Sequence, residues 1–307
     1  MRLFLIGLLI CFGACGEETP DSREPGGKLR IVATTGMVAD MARNVGGDLV
    51  TVEALMGPGV DPHLYQAAPS DLRKLRAADV VLFNGKGLEG KMGKILADLA
   101  KRKRGAAITE LIREEELIGD NPHRSAPRHV DPHVWFDVAL WSRCAAVVAD
   151  TFSAADPTNA DRYRRNAERY ENRLVGDLDA WVRTRIATIP VEQRVLITSH
   201  DAFRYFGRAY NVEVRGLQGI STASVAGVKD VELMVKLIID RKIKAIFVET
   251  SVSPKAIEAV REHVRRGGHE VANGGELFSD AMGDTPETSN YEGMIRHNVE
   301  TLVRALR

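Results

Sequence analysis

Between positions 157 and 189 the apolar residues Tyr163, Ala167, Tyr170, Leu174, Leu178, Trp181, Ile186 and Ile189 recur at near-helical spacing, with charged residues filling the intervals. The spacing predicts one uninterrupted helix. Asp156-Pro157 suits its start, since Asp can cap and Pro is tolerated in a first turn, and Pro190 ends it. At 1.5 Å per residue such a helix is roughly 45–50 Å long, longer than a single lobe is wide. It has to bridge two bodies, and a single stiff connector predicts a cleft whose walls move little.

Both flanks fit that arrangement. Short β-like runs at 29–32, 50–56 and 80–83 alternate with helical patterns at 36–45 and 70–77. After the long run, β-like segments at 195–199, 212–217, 245–250 and 270–272 alternate with helical patterns at 228–240 and 254–265, and a last helix covers about 291–306. Alternation of this kind marks βαβ units and mainly parallel sheets flanked by helices. The expected fold is therefore α/β: an N-terminal lobe over 29–155, a rigid linking helix over 156–190 and a C-terminal lobe over 191–307. No internal repeat is strong enough to indicate duplication. The 42 basic side chains are matched by 42 acidic ones, so nothing in the balance points to nucleic acid. The one dense basic run, 101–104, reads as a solvated helix end.

The first residues differ in kind. Met1-Arg2 precedes an apolar stretch from Leu3 to Phe12, then Gly13-Ala14-Cys15. The stretch is shorter than the ~20 residues of a membrane-spanning helix, and positions 1–14 read as a signal peptide. Phe12-Gly13-Ala14-Cys15 resembles a bacterial lipobox, departing from it at Phe12, where Leu is usual; the resemblance implies lipidation of Cys15. Positions 15–28 are rich in Glu, Gly and Pro and read as a flexible tether. With Cys11 removed and Cys15 lipidated, Cys144 has no disulfide partner, and its apolar helical surroundings predict a buried thiol.

Three of the eight histidines occupy unusual contexts. Asp61-Pro62-His63 follows Gly57-Pro58-Gly59, Asp131-Pro132-His133 repeats the triad, and His200 directly follows an apolar strand. All three fall at strand ends or helix starts, where open α/β sheets bind ligands. Proline restricts the backbone before each triad's imidazole. A lone histidine in such a place is usually a cap or a core hydrogen-bond partner, but three together suit zinc, copper, iron or nickel, and manganese once oxygen ligands join. Asp280, after Gly274-Gly275, offers such an oxygen and would equally suit a helix N-cap. His263, His269 and His297 read as surface or capping residues. His123 and His129 lie in an irregular loop that could hold metal weakly. No GxSxG, P-loop or GxGxxG stretch and no cysteine pair of metal-binding spacing is present.

Taken together, several segments resemble the metal-receptor lipoproteins of bacterial ABC importers, the cluster A-I or ZnuA/TroA-like solute-binding proteins, and within them the TroA branch. They are Gly59–His63, Asn84-Gly85 with Leu88-Glu89, Asp131–Asp137, Ser199–Phe203, Gly216–Thr222, Phe247–Glu249 and Gly275–Gly283. The resemblance covers essentially the whole chain from Leu29 onward. It implies one zinc or manganese ion held between the lobes by His63, His133, His200 and Asp280. It also implies Glu249 as a supporting carboxylate, an ABC permease as partner, and a monomer anchored by its lipid outside the cytoplasm. Zinc-selective relatives often carry a long His-rich loop where 119–130 is short here, and manganese-selective ones often have Glu in place of His200. The three-His donor set puts zinc slightly ahead. Two other classes compete: a zinc hydrolase, which would keep a coordination position open for water, and a surface adhesin, for which no segment of the sequence argues.

Overall fold

The computed structural model describes residues 27–102, 104–119 and 130–307. The expected signal peptide, Cys15 and most of the expected tether, together with His123 and His129, lie outside the described residues.

In the N-terminal lobe β1 (Leu29–Ala33), β2 (Val50–Ala54), β3 (Val80–Phe83) and β4 (Gly105–Ala107) form one parallel sheet in the order β2-β1-β3-β4. Its central strands are apolar at nearly every position because both faces are covered. Ile31 and Leu82 pack with the helices Gly36–Gly46 and Cys144–Ala155 on one side. Val32, Val81 and Phe83 meet Leu75, Met92 and Leu96 on the other. Cys144 is buried and free, and burial pushes its thiol up to about 12, which leaves it inert.

The C-terminal lobe pairs β5 (Val195–Thr198) with β6 (Glu213–Gly216), and β7 (Ala245–Glu249) with β8 (Ala272–Leu277), both in parallel. Strands β5 and β7 lie side by side, so the strand succession β6-β5-β7-β8 repeats that of the first lobe. This likeness of topology leaves no repeat in the sequence, because a parallel βαβ layout constrains apolar periodicity rather than residue identity.

Strand β8 corrects the expected strand at 270–272: it begins where that one was to end. Its register against β7 shifts between Ile246 and Val248, and its centre is Asn273-Gly274-Gly275. Gly275 has φ +118°, and a Cβ on Gly274 would stand 2.4 Å from the Phe247 ring. Only glycine lets this strand lie against that buried ring, and glycine is what hides the strand from propensity.

The backbone remains helical from Ala160–Arg173 through a π turn at Leu174–Asp179 to Ala180–Ala187, about 40 Å at 1.5 Å per residue. Its start differs from the expectation. Pro157–Asn159 forms a 3-10 turn, and Asp156 caps nothing, accepting instead from Tyr163 Oη at 2.9 Å and Asn159 Nδ2 at 2.8 Å. One end meets the first lobe, where Asn166 Nδ2 donates to Val45 O. The other end meets the second, where Arg185 pairs with Glu300 and Arg183 donates to Ala209 O. Within the π turn the buried Asp179 accepts from Tyr210 Oη at 2.8 Å and Arg183 Nε at 2.7 Å.

The lobes are also joined directly. Trp135 Nε1 donates to Ser279 O at 3.0 Å, Tyr291 Oη to Trp135 O at 2.7 Å and Tyr205 Oη to Asp131 O at 3.0 Å. A continuous apolar core containing Trp135, Trp141, Phe203 and Tyr291 runs beneath these bonds. No helix among the described residues is long and apolar enough to cross a membrane.

Candidate metal centre

His63, His200 and Asp280 lie beyond the carboxyl ends of β2, β5 and β8, the edge where open α/β sheets bind ligands, while His133 opens the 3-10 turn Val134–Phe136, well after β4. After β2, the chain turns through Gly57-Pro58-Gly59, and Asp61 Oδ1 accepts the backbone N–H of His63 at 2.8 Å. The second triad closes in the same way, Asp131 Oδ1 accepting His133 N–H at 3.0 Å. The two then diverge. Asp131 Oδ1 also reaches His133 Nδ1 at 2.7 Å, whereas among the described residues no carboxylate stands behind the His63 ring.

The second triad is pinned from below by the segment after β3. The buried carboxylate of Glu89 accepts from Thr34 Oγ1 at 2.7 Å, from Asn84 N at 2.7 Å and from Gly85 N at 3.2 Å. Asn84, held in this way, donates through Nδ2 to Pro132 O at 3.0 Å. Burial raises the Glu89 pKa, and these donors act against the rise.

On the opposite wall, His200 follows β5. Its N–H donates to Glu249 Oε1 at 2.9 Å, and its Nδ1 stands 2.5 Å from Glu249 Oε2 as an ion pair without hydrogen-bond alignment. Glu249 ends β7, the strand beside β5, so adjacent strands deliver imidazole and carboxylate together. Asp280 follows β8, where Asn298 fixes the preceding turn by accepting from Phe278 N and donating to Phe278 O. Asp280 caps no described helix; the terminal helix Tyr291–Leu306 is capped by Asn290.

These loops bring His63, His133, His200 and Asp280 together, with one ligand atom from each all within 4.8 Å of one another. His63 Nε2 is 3.2 Å from His133 Nε2 and 3.9 Å from Asp280 Oδ2. His133 Nε2 lies 3.3 Å from Asp280 Oδ1, and His200 Nε2 lies 3.3 Å from Asp280 Oδ2. A tetrahedron with zinc bonds of 2.0–2.1 Å has edges of about 3.4 Å. Both Asp280 oxygens face imidazole nitrogens, which also suits bidentate coordination. His133 and His200 are fully buried, Asp280 is 1% exposed and His63 is 6% exposed, the outermost of the four.

Buried polar atoms normally have partners. Here His200 Nε2 and both Asp280 oxygens converge with no hydrogen bond, a donor set that fits a cation. Electrostatics separate the imidazoles. Burial, reinforced by the two neighbouring imidazoles, lowers His63 to about 4 against the pull of Asp280. Burial opposes charge on His133 as well, but Asp131 and Asp280 outweigh it and raise that ring to about 9. Glu249 and Asp280 likewise overcome burial at His200 and hold it well above its ordinary value. Burial opposes charge on Asp280, but the neighbouring His200 and His133 imidazoles outweigh it and hold the carboxyl well below its usual range.

The remaining described histidines stay apart from this cluster. His263, His269 and His297 each bond a backbone carbonyl, those of Ala259, Ile243 and Glu276. Sequence reasoning missed Asp131 as the partner of His133, although an Asp two residues before each histidine was visible in both triads. It also assigned no role to Thr34, Asn84 and Glu89.

Two α/β lobes enclosing a buried centre of three imidazoles and one carboxylate define a binding protein of the bilobal metal-receptor class. Residues 31–305 match the family described as zinc-uptake complex component A, periplasmic, and the chain belongs to that family. It is 46% identical over 294 residues to the manganese-binding lipoprotein MntA of Bacillus subtilis, covering 95% of this chain and 94% of the relative. It is 43% identical to the zinc-binding protein TroA of Treponema pallidum, covering 91% and 89%. The solved structure of that periplasmic zinc-binding TroA superposes with a TM-score of 0.86, covering 91% of this chain and 99% of the other.

Proposed function

We propose that the chain is an extracytoplasmic receptor that captures one divalent transition-metal ion, zinc or manganese, and delivers it to the permease of an ABC importer. Lipid on Cys15 anchors the receptor, residues 15–28 form the tether, and a monomer of two lobes, 29–155 and 191–307, closes on the ion across the helix of 156–190. The observation that carries this reading is the convergence of His63, His133, His200 and Asp280, two from each lobe, with buried metal-facing atoms that have no hydrogen bond. Glu249 and Asp131 orient His200 and His133 from behind, as carboxylates do for metal-binding imidazoles.

Relatives named for manganese and for zinc support keeping both metals. Three nitrogens favour zinc on softness, and the inward-facing pair of Asp280 oxygens allows the higher coordination that manganese accepts. A hydrolase is disfavoured because four side-chain donors close the centre, and family membership places the chain among metal-transport receptors.

The test is metal analysis of chain purified without added metal, followed by competition between zinc, manganese and a chelator. One ion per chain is expected, lost in His200→Ala and retained in His263→Ala. Full metal content in His200→Ala after dialysis overturns the ligand set.

A further inference from the structure

The segment between β6 and the helix Val228–Asp240 belongs to the second lobe and touches the first. Its root is tied to the His200 loop: Gln218 N donates to Ser199 O at 2.9 Å and Asp201 N to Gly219 O at 3.3 Å. Gly216 makes this closeness possible, since a Cβ there would stand 2.5 Å from Asp201 N and 2.7 Å from the His200 carbonyl carbon. Further along, a local turn formed by Ser221 and Ser224 presents Thr222. The Thr222 hydroxyl donates to Asp61 Oδ2 at 2.6 Å, across the lobes. The other oxygen of that carboxylate, Oδ1, holds the backbone N–H of His63. One short chain of contacts thus connects the loop of His200 to the loop of His63.

His63 is where such a connection matters most. It is the outermost of the four donors, and among the described residues its ring lacks the carboxylate that stands behind each of the other two imidazoles. Its position depends on its loop, and its loop is held through Asp61.

We propose that Thr222 and Asp61 form a latch over the mouth of the cleft, in which Thr222 is a positioning residue that keeps His63 on the captured ion and thereby sets how slowly the ion leaves. This rests on the receptor reading above. The latch touches no metal-facing atom, so its removal leaves all four donors present. A captured ion escapes when its outermost donor swings away, and the latch opposes that motion after capture. Its loss therefore acts on release rather than on capture.

The experiment loads the full chain with zinc, mixes it with excess chelator and follows release by stopped flow, with association measured separately. A hydrogen bond to a carboxylate is strong enough that Thr222→Val should speed release by about tenfold or more, while association stays within about twofold. Thr222→Ser, which keeps the hydroxyl, should restore both slow release and the unfolding temperature of the metal-free chain, which Thr222→Val lowers by no more than the few degrees that one hydrogen bond accounts for. Equal release from wild type and Thr222→Val overturns the latch and leaves the receptor reading standing. Faster release accompanied by a lowered unfolding temperature and no rescue by Ser also overturns it, showing general loosening. A wild-type chain that binds no zinc overturns the receptor reading instead, and the latch falls with it.

Discussion

His133 Nε2 and Asp280 Oδ1 face one another 3.3 Å apart from opposite lobes, while Asp131 Oδ1 lies 2.7 Å from the far nitrogen of the same ring. An imidazole between two carboxylates is a strong base, and His133 accordingly titrates near 9 in the metal-free chain. His200, between Glu249 and Asp280, is shifted the same way. A metal ion needs both rings neutral and must displace their protons. His133 alone should release about one proton per ion at pH 7.5 and the upward shift of His200 adds to that, against roughly 0.3 from three imidazoles at their ordinary pKa of about 6.5. Calorimetric titration in two buffers of different ionisation enthalpy measures this number, and a value near 0.3 would contradict the electrostatics. Imidazoles at their ordinary pKa would lose affinity as pH falls through about 6.5. The carboxylates shift it upward, so affinity should keep rising with pH until about 9.

The same shifts fix how stability varies with pH in the metal-free chain. The folded pKa of His133 exceeds its unfolded value, so its contribution is fully present below about 6.5 and is lost as pH rises through about 9. His63 is depressed to about 4, so the folded chain binds fewer protons than the unfolded one between that value and the ordinary one. Stability from that term is full above about 6.5 and declines as pH falls. Thermal unfolding in chelator should therefore peak near neutrality and weaken on both sides. Zinc should abolish the alkaline limb, because the ion replaces the displaced protons. Melting curves taken from pH 4 to 9 with and without zinc would show this, and an alkaline limb that persists with zinc counts against it.

Glu249 and Asp131 stand at the far nitrogens of His200 and His133, at 2.5 Å and 2.7 Å. Glu249→Gln and Asp131→Asn are each expected to weaken zinc binding by about 10- to 100-fold. Metal-free folding, read by circular dichroism, should be retained. Binding within twofold of wild type in both variants would mean that the rings are held by packing alone.

How far the sequence disclosed this centre depends on how local each signal is. The alternation of β-like and helical runs, the long helix and the two Asp-Pro-His triads lie within contiguous stretches, and each can be read from periodicity or residue type. Glu249 and His200 stand 49 residues apart and meet because β7 lies beside β5, so only the family resemblance brought them together. Asp61 and Thr222, 161 residues apart, meet across the lobes, and nothing local marks either as a partner of the other. Glu89 entered only as part of a segment resembling the family, and its part in pinning Pro132 through Asn84 exists only once β3 and the second triad are folded.

Strand β8 is the case where the sequence misled, and it yields a direct test. Its glycines argue against a strand by propensity, yet Gly274 is required because the fully buried Phe247 ring occupies the space of a side chain there. In Gly274→Ala the new Cβ meets Phe247 Cε1 at 2.4 Å and Cζ at 2.7 Å unless the strand or the ring moves. Overpacking of this kind costs about 1–3 kcal/mol, a loss of roughly 2–5 °C in unfolding temperature for a chain of this size. Because β8 leads into Asp280, displacement of the strand should also weaken zinc binding, which an exposed surface substitution of equal cost would not do. Phe247→Leu in the same chain makes room for the methyl group and should recover part of both losses. Weaker zinc binding with no change in unfolding temperature would show that Phe247 yields freely, and that Gly274 serves the site by some route other than close packing of β8.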